Sequence, residues 1–561
     1  SFFDNGISFL RKRHWHDYYD LSLSLFEAAA QCALVIGDII SVKLLSEQVL
    51  AHAKSFKDTL KVIFITVTAL AYASQLPESI NRSILALSEL GEELPESYSE
   101  TEIKFCIEQT KVMLQGFSDE ELLGYKIMDD PSKIMAMNFY ARLELSFQMT
   151  KQMAQPVVTM KIVQLSIAQG MSPVSLIGFA YFGQLLASLG EVKEATRYVK
   201  IATELLGRSG SKEVAGEVIS VGTQVLCLVE PLQTTLEFHV QGETAAMKSG
   251  DIHAAILNRI LHLATSFWAG AKLSTWKKEY DRAHRLCQEY KHATFLAHII
   301  QMEKYLSLMG AEGDADRATN PNQTQKQAVQ EVIDVQEANP HAQYTAILQN
   351  MYISFMLRKF DQTKELAEKY FVFNLHTWAI LYIHTTHAFY GGLVSFWIYR
   401  QSNDPIWVTR GQKAKDAMTK WVDSSEWNFL HKAHLLEAEE AFCNNSFERA
   451  KLFYEKAVSV AKQHRFINEE ALACELAGYF FLEMEKNDTA IQYFMQAHKK
   501  YHEWGAVAKS NALFEFVQKV LSPSSRSMAG SISNSFSSAS DAQWGSNDEN
   551  RRKRGAKRTG H

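Results

Sequence analysis

The nearest approach to a phosphate loop in this chain of 561 residues is GRSGSK, from Gly207 to Lys212. A loop that wraps backbone N–H groups around a phosphate needs four residues between its glycines, a Lys followed by Ser or Thr, and a strand before it. Here two residues intervene and the preceding pattern is helical, so the segment predicts the C-terminal turn of a helix rather than a nucleotide site. His376, His384 and His387 lie in HTWAILYIHTTH, where the last two share a helical face at i, i+3. A zinc site would want a third ligand and a nearby carboxylate, and no HExxH pattern is present, so core or groove histidines are expected and no metal. The cysteines Cys32, Cys106, Cys227, Cys287, Cys443 and Cys474 are scattered without a CxxC pair. That spacing predicts reduced thiols in an intracellular protein, not a disulfide framework. No Ser-His-Asp signature, kinase catalytic loop or paired-carboxylate context stands out. The reading is therefore of a protein that is not an enzyme, with no cofactor and no catalytic residue assigned.

Charge narrows the partners. Formal net charge is −5, but the stretch from Ser522 carries seven basic residues against three acidic ones, which leaves about −9 for the rest. A mildly acidic body does not suit duplex nucleic acid or an anionic membrane surface. The basic cluster Arg551, Arg552, Lys553, Arg554, Lys557 and Arg558 reads first as a solvated charge run, with a nuclear import signal or a nucleic-acid contact as its alternatives. Residues Tyr370 to Tyr399 carry no charge and raise the question of a membrane span. Asn374, three histidines, several hydroxyls and the Gly391-Gly392 pair argue instead for buried helices of a large array, and no membrane span is expected. Trp378, Trp397, Trp407, Trp421 and Trp427 crowd this half and read as core filling between helices. SFFDNGISFLRKRHWHDYYD opens the chain without the charged-then-apolar profile of a secretory signal, so a cytoplasmic location is expected, with a nuclear one open through the basic cluster. The start at Ser1 reads as a fragment of something longer.

What must position these residues is a helical repeat. AEEAFCNNSFERAKLFYEKA, from Ala438 to Ala457, recurs forty residues later as GYFFLEMEKNDTAIQYFMQA, from Gly478 to Ala497. Small residues coincide at Ala438 and Gly478, Ala450 and Ala490, Ala457 and Ala497, and rings coincide at Tyr454 and Phe494. Small side chains at fixed spacing mark close crossings in stacked helical hairpins. Apolar residues recur at three- and four-residue spacing almost from the start, punctuated by Gly, Asn or Asp, while period-two alternation is nearly absent. Aligning the Gly37-Asp38 turn with Gly190-Glu191 puts Ala30 over Gly183 and Val42 over Ala195.

The expected fold is all-α: a right-handed, curved α-solenoid of tetratricopeptide-like hairpins with a disordered C-terminal tail. The expected divisions are one array over 1–309, a polar linker with one short helix over 310–340, a second array over 341–521, and a Ser-rich tail over 522–561 whose composition cannot offset its ordering entropy.

The segment from Asn428 to Leu513 resembles the last helical repeats of large multidomain signalling proteins, with Phe466 to Ala477 and YHEWGAVAK, Tyr501 to Lys509, as its most specific parts. Those proteins carry a Ser/Thr-kinase-like domain, an AAA-type STAND ATPase, a long tetratricopeptide-like region, and often a GAF domain and a histidine kinase. Gln169 to Leu206 and FEAAAQCALVIGD are similar to earlier hairpins of the same region. The resemblance implies a non-catalytic region joining nucleotide-dependent switching to kinase output. It places Walker motifs before Ser1, and the Ser-rich tail stands where a GAF domain and kinase would follow.

The functional expectation is a protein-interaction and regulatory region whose concave face binds a peptide, a protein or a neighbouring domain. Tetratricopeptide geometry puts the first helix of each hairpin on that face. This nominates Lys432, Leu435, Glu439 and Phe442, then Leu472, Glu475, Tyr479 and Leu482, with Lys432, Glu439, Glu475 and Tyr479 for polar recognition. A free-standing adaptor or scaffold is the alternative, and an enzyme built on helical repeats a third reading.

Overall fold

A computed structural model describes residues 2–95, 97–150, 153–303, 305, 340–372 and 382–521. The linker expected over 310–340, apart from Pro340, lies outside the described residues, as do His376, Trp378 and the tail from Ser522 with its basic cluster.

The described chain is a succession of antiparallel helical hairpins. The first stretch runs α1 (Phe2–Ser8), α2 (His14–Asp17), α3 (Tyr19–Val35), α4 (Ile39–His52), α5 (Phe56–Tyr72), α6 (Leu76–Glu89), α7 (Glu100–Gln115), α8 (Asp119–Leu123), α9 (Pro131–Thr150), α10 (Gln155–Gln169), α11 (Pro173–Ser188), α12 (Val192–Ser209), α13 (Ala215–Leu226), α14 (Leu232–Ser249), α15 (Ile252–Trp268), α16 (Leu273–Glu289) and α17 (Ala293–Met302). After the break come α18 (Pro340–Met356), α19 (Phe360–Val372), α20 (Tyr382–Ser402), α21 (Pro405–Val422), α22 (Glu426–Cys443), α23 (Phe447–Gln463), α24 (Ile467–Glu483), α25 (Asn487–Trp504) and α26 (Val507–Leu521). The only β pairing among the described residues is an isolated bridge between Ile127 and Met171. The all-α solenoid of tetratricopeptide-like hairpins is what the chain adopts. No helix among the described residues is long and apolar enough to cross a membrane.

Local chemistry explains the turns. Gly37 (φ +69°) ends α3 in the left-handed region, and Asp38 then accepts a hydrogen bond from the Ser41 amide at 3.1 Å to cap α4. In the second stretch the same left-handed position is taken by Asn445, Arg465 and Glu485. There the amides of Ser446, Phe466 and Lys486 reach back to the carbonyls of Ala441, Ala461 and Phe481 at 2.8–3.0 Å. The closure bond therefore survives even where the residue type disfavours it. GRSGSK behaves as a helix end: α12 runs through Gly207 to Ser209, and Gly210 (φ +65°) is its left-handed cap.

The hairpins separate into inner and outer helices. Inner helices α11, α20, α22 and α24 are buried on nearly every side, whereas outer helices α12, α23 and α25 bury one stripe. The crossings rest on small residues: Ala438, Ala450, Ala457, Ala490 and Ala497 are fully buried. A Cβ at Gly478 would stand 2.6 Å from the Phe494 ring, and one at Gly183 would stand 2.7 Å from the Ala195 carbonyl.

The array does not stay open. Contacts recur between residues about 200 positions apart, so that the second stretch lies against the first. Tyr72 stacks on His253 and packs on His292, and the Tyr290 carbonyl presses against Gly37. One contiguous buried cluster extends from Leu60 to Val517, across both stretches. A solenoid whose repeats touch only their neighbours would share the continuous core but not the contacts between residues about 200 positions apart.

Candidate functional site

The inner helices α20, α22, α24 and α26 carry charges inside this closed body. Arg400 of α20 donates to Glu439 of α22 at 2.6 Å, Lys432 of α22 donates to Glu469 of α24 at 2.6 Å, and Lys509 of α26 donates to Glu475 of α24 at 2.6 Å. Each inner helix is thus tied to the next by one buried ion pair. Tyr454 and Tyr501 add hydroxyl donors to Glu439 and Glu475 at 2.6 and 2.7 Å, and His431 bonds Glu469. Removing charge from water is costly, and these pairs endure because the carboxylates gain further donors. Burial lowers the Lys432 and Lys509 ammonium pKa values, with Glu469 and Glu475 pulling the other way. Burial opposes the Glu469 charge as well, but Lys432 and His431 outweigh it and hold its carboxyl below the ordinary range.

This geometry places most of the expected groove residues inside the array. Lys432, Glu439 and Glu475 are 0%, 1% and 1% exposed, and Leu435, Phe442 and Leu472 are buried beside them. They are committed to bonds between inner helices and are not displayed to solvent, because the curvature brings the inner face against neighbouring helices and the opposite turn. Tyr479 is half-buried, with the Arg358 guanidinium 4.4 Å from its ring centroid and the Phe494 ring edge-on at 5.0 Å. Leu482 is half-buried. Glu439 and Tyr479 occupy the same repeat position, as do Tyr454 and Phe494. One repeat fills the two positions with a carboxylate and a phenol, the next with two rings.

Sequence reasoning missed the residues that close the turns. Asn428 accepts from the Leu232 amide at 2.9 Å and donates to the carbonyls of Cys227 and Glu230 at 3.0 and 2.7 Å, clasping the loop between α13 and α14. Asn468, forty residues on, donates to the carbonyl of Trp268, the last residue of α15, at 3.4 Å. Indole donors repeat the theme: Trp427 bonds Gln233 at 3.0 Å and Trp504 bonds the Ala271 carbonyl at 2.9 Å. The signal was present as a second Asn at the repeat spacing, but Asn at the start of a helix reads as a cap.

A second polar centre lies in the first stretch. Arg259 is 3% exposed and pairs with both Glu243 and Glu279, and Arg282 adds a contact to Glu243 at 3.2 Å. His253 and His292 bond each other at 2.9 Å, and burial keeps both neutral. Glu144 of α9 is fully buried, bonded to Gln155 at 2.9 Å, and burial pushes its carboxyl up to about 8.

Other candidates resolve as packing. His387 is buried with its ring 5.3 Å from Tyr344, and His384 packs against it at 5.7 Å. Among the described residues no group of three or more His, Cys, Asp and Glu is placed to hold a metal. The cysteines are free; Cys227, Cys287 and Cys474 are buried, and burial pushes each thiol up to about 12. Trp397 and Trp407 are buried, and Trp421 and Trp427 are half-buried.

No protein-family model and no curated protein matches the sequence. Among solved structures, similarity is found to a Rap protein complexed with competence and sporulation factor, at 10% identity over 79% of this chain and 99% of that one, TM-score 0.33. Yeast Tom70 matches at 13% identity over 94% and 98% of the two chains, TM-score 0.22. A circular tandem repeat protein with a novel repeat topology matches at 11% identity over 91% and 97%, TM-score 0.13.

Proposed function

We propose that this chain is a non-catalytic protein-interaction and regulatory solenoid, and that it serves as the helical region of a multidomain signalling ATPase or kinase. The second half of this reading rests on the resemblance of Asn428 to Leu513. The partner is a protein segment or peptide, received by the inner helices when the two turns part.

One observation carries the interaction reading. The inner face holds buried polar atoms with no hydrogen-bond partner among the described residues, including Glu469 Oε1 and the Tyr382 hydroxyl. A fully self-satisfied interior pairs such atoms. Unpaired ones on helices held by a few separable bonds suit a surface that exchanges internal contacts for those of a guest. In this reading Lys432, Glu439, Glu475 and Tyr479 act in the opened form, where the ion pairs between inner helices are offered to the partner's charges.

Random-peptide display against the immobilised chain tests this reading, followed by binding of the selected synthetic peptide to Tyr382→Phe. A selected peptide whose affinity falls about tenfold on loss of that one hydroxyl supports the inner-face reading. Failure to enrich any peptide, or peptides indifferent to Tyr382→Phe, rejects it. Nucleotide turnover by the purified chain would reject its non-catalytic part.

A further inference from the structure

Helix α4 presents an apolar stripe to solvent as well as one to the core. Its inward stripe is ordinary, with Val42, Ser46 and Val49 buried against α3 and α5. The opposite stripe, at heptad-like spacing, reads Ile40, Lys43, Leu44, Glu47, Leu50 and Ala51, and every one of these is exposed. Ile40 is 75% exposed, Leu44 58% and Leu50 44%, and Ile36 beside them is 62% exposed. A convex surface helix facing only water carries polar residues there.

The order of those residues identifies the occupant. In an antiparallel helix pair related by a two-fold axis, residues whose numbers share one sum face each other. With the axis near position 45, Ile40 faces the partner's Leu50 and Lys43 faces the partner's Glu47, while Leu44 lies next to the axis, one position from its centre, where its own copy is within a turn. Ile40 and Leu50 then have apolar mates, and Lys43 and Glu47 opposite charges, each twice over by symmetry. The stripe is self-complementary.

We propose that α4 is a self-association surface through which two copies of this chain pair by an antiparallel contact of their α4 helices. Light scattering on the intact chain over micromolar concentrations tests it, with Leu44→Glu, Glu47→Lys and Lys43→Glu/Glu47→Lys as variants. All three changes are at exposed positions, and circular dichroism confirms the fold. The expected result is a wild-type dimer and a Leu44→Glu monomer. Self-association should be roughly tenfold weaker in Glu47→Lys, where lysines meet, and restored in the double swap. A monomeric wild type overturns the proposal, as does a dimer indifferent to Leu44→Glu or a charge swap that fails to restore.

Discussion

Asn428 satisfies three backbone groups in a loop roughly two hundred residues away, so replacing it by Ala strands the Leu232 amide and two carbonyls in the interior. Asn428→Ala should cost about 2–4 kcal/mol in chemical denaturation, while Asn468→Ala, which loses one long bond, should cost about 1 kcal/mol. Glu144 makes a different prediction. Its folded pKa of about 8 lies above its unfolded value, so its protonated form contributes stability that is complete below about pH 4.5 and lost as pH rises to about 8. Melting temperatures of wild type and Glu144→Gln should therefore diverge between pH 5 and 8.5, with the variant losing less as pH rises. Parallel curves would show that this carboxyl is charged in the folded protein throughout.

For the helices, the decisive contacts are the ion pairs between inner helices and the small residues at the crossings. Lys432→Met leaves the Glu469 carboxylate buried with only His431, and should cost about 3–5 kcal/mol, whereas Lys432→Met with Glu469→Leu should recover most of that loss. Equal instability of single and double variants would mean that the pair shapes the packing around it and does more than neutralise its own charge. At the crossings, Ala457→Arg drives a long cation into a fully buried contact, and should unfold the C-terminal hairpins at a cost of several kcal/mol. An unchanged melting curve would remove the repeat register on which the inner and outer assignments depend.

The whole molecule couples hairpins that are far apart in sequence. An open solenoid unfolds from its ends, repeat by repeat, because each repeat touches only its neighbours. Here Trp427 and Trp504 of the second stretch bond residues of the first, and one buried cluster spans both. Denaturation of the wild type should therefore follow one cooperative transition by both tryptophan fluorescence and circular dichroism. Asn428→Ala/Asn468→Ala should separate it into two. A biphasic wild type would place the clasp outside the cooperative unit.

Much of this architecture was written in the sequence. Small residues forty positions apart, three- and four-residue apolar spacing and punctuating Gly and Asn are local signals, and they determine the hairpins, their turns and the close crossings at Ala450 and Ala490. Even the helix end at Gly210 followed from residue order. The fate of Lys432, Glu439 and Glu475 did not. Whether a charge on an inner helix meets water or another helix depends on curvature accumulated over many hairpins, each adding a small rotation that no local pattern encodes. The tertiary structure alone decided that the turns close, that Asn428 clasps a distant loop and Asn468 the end of a distant helix, and that the nominated recognition charges pair between inner helices.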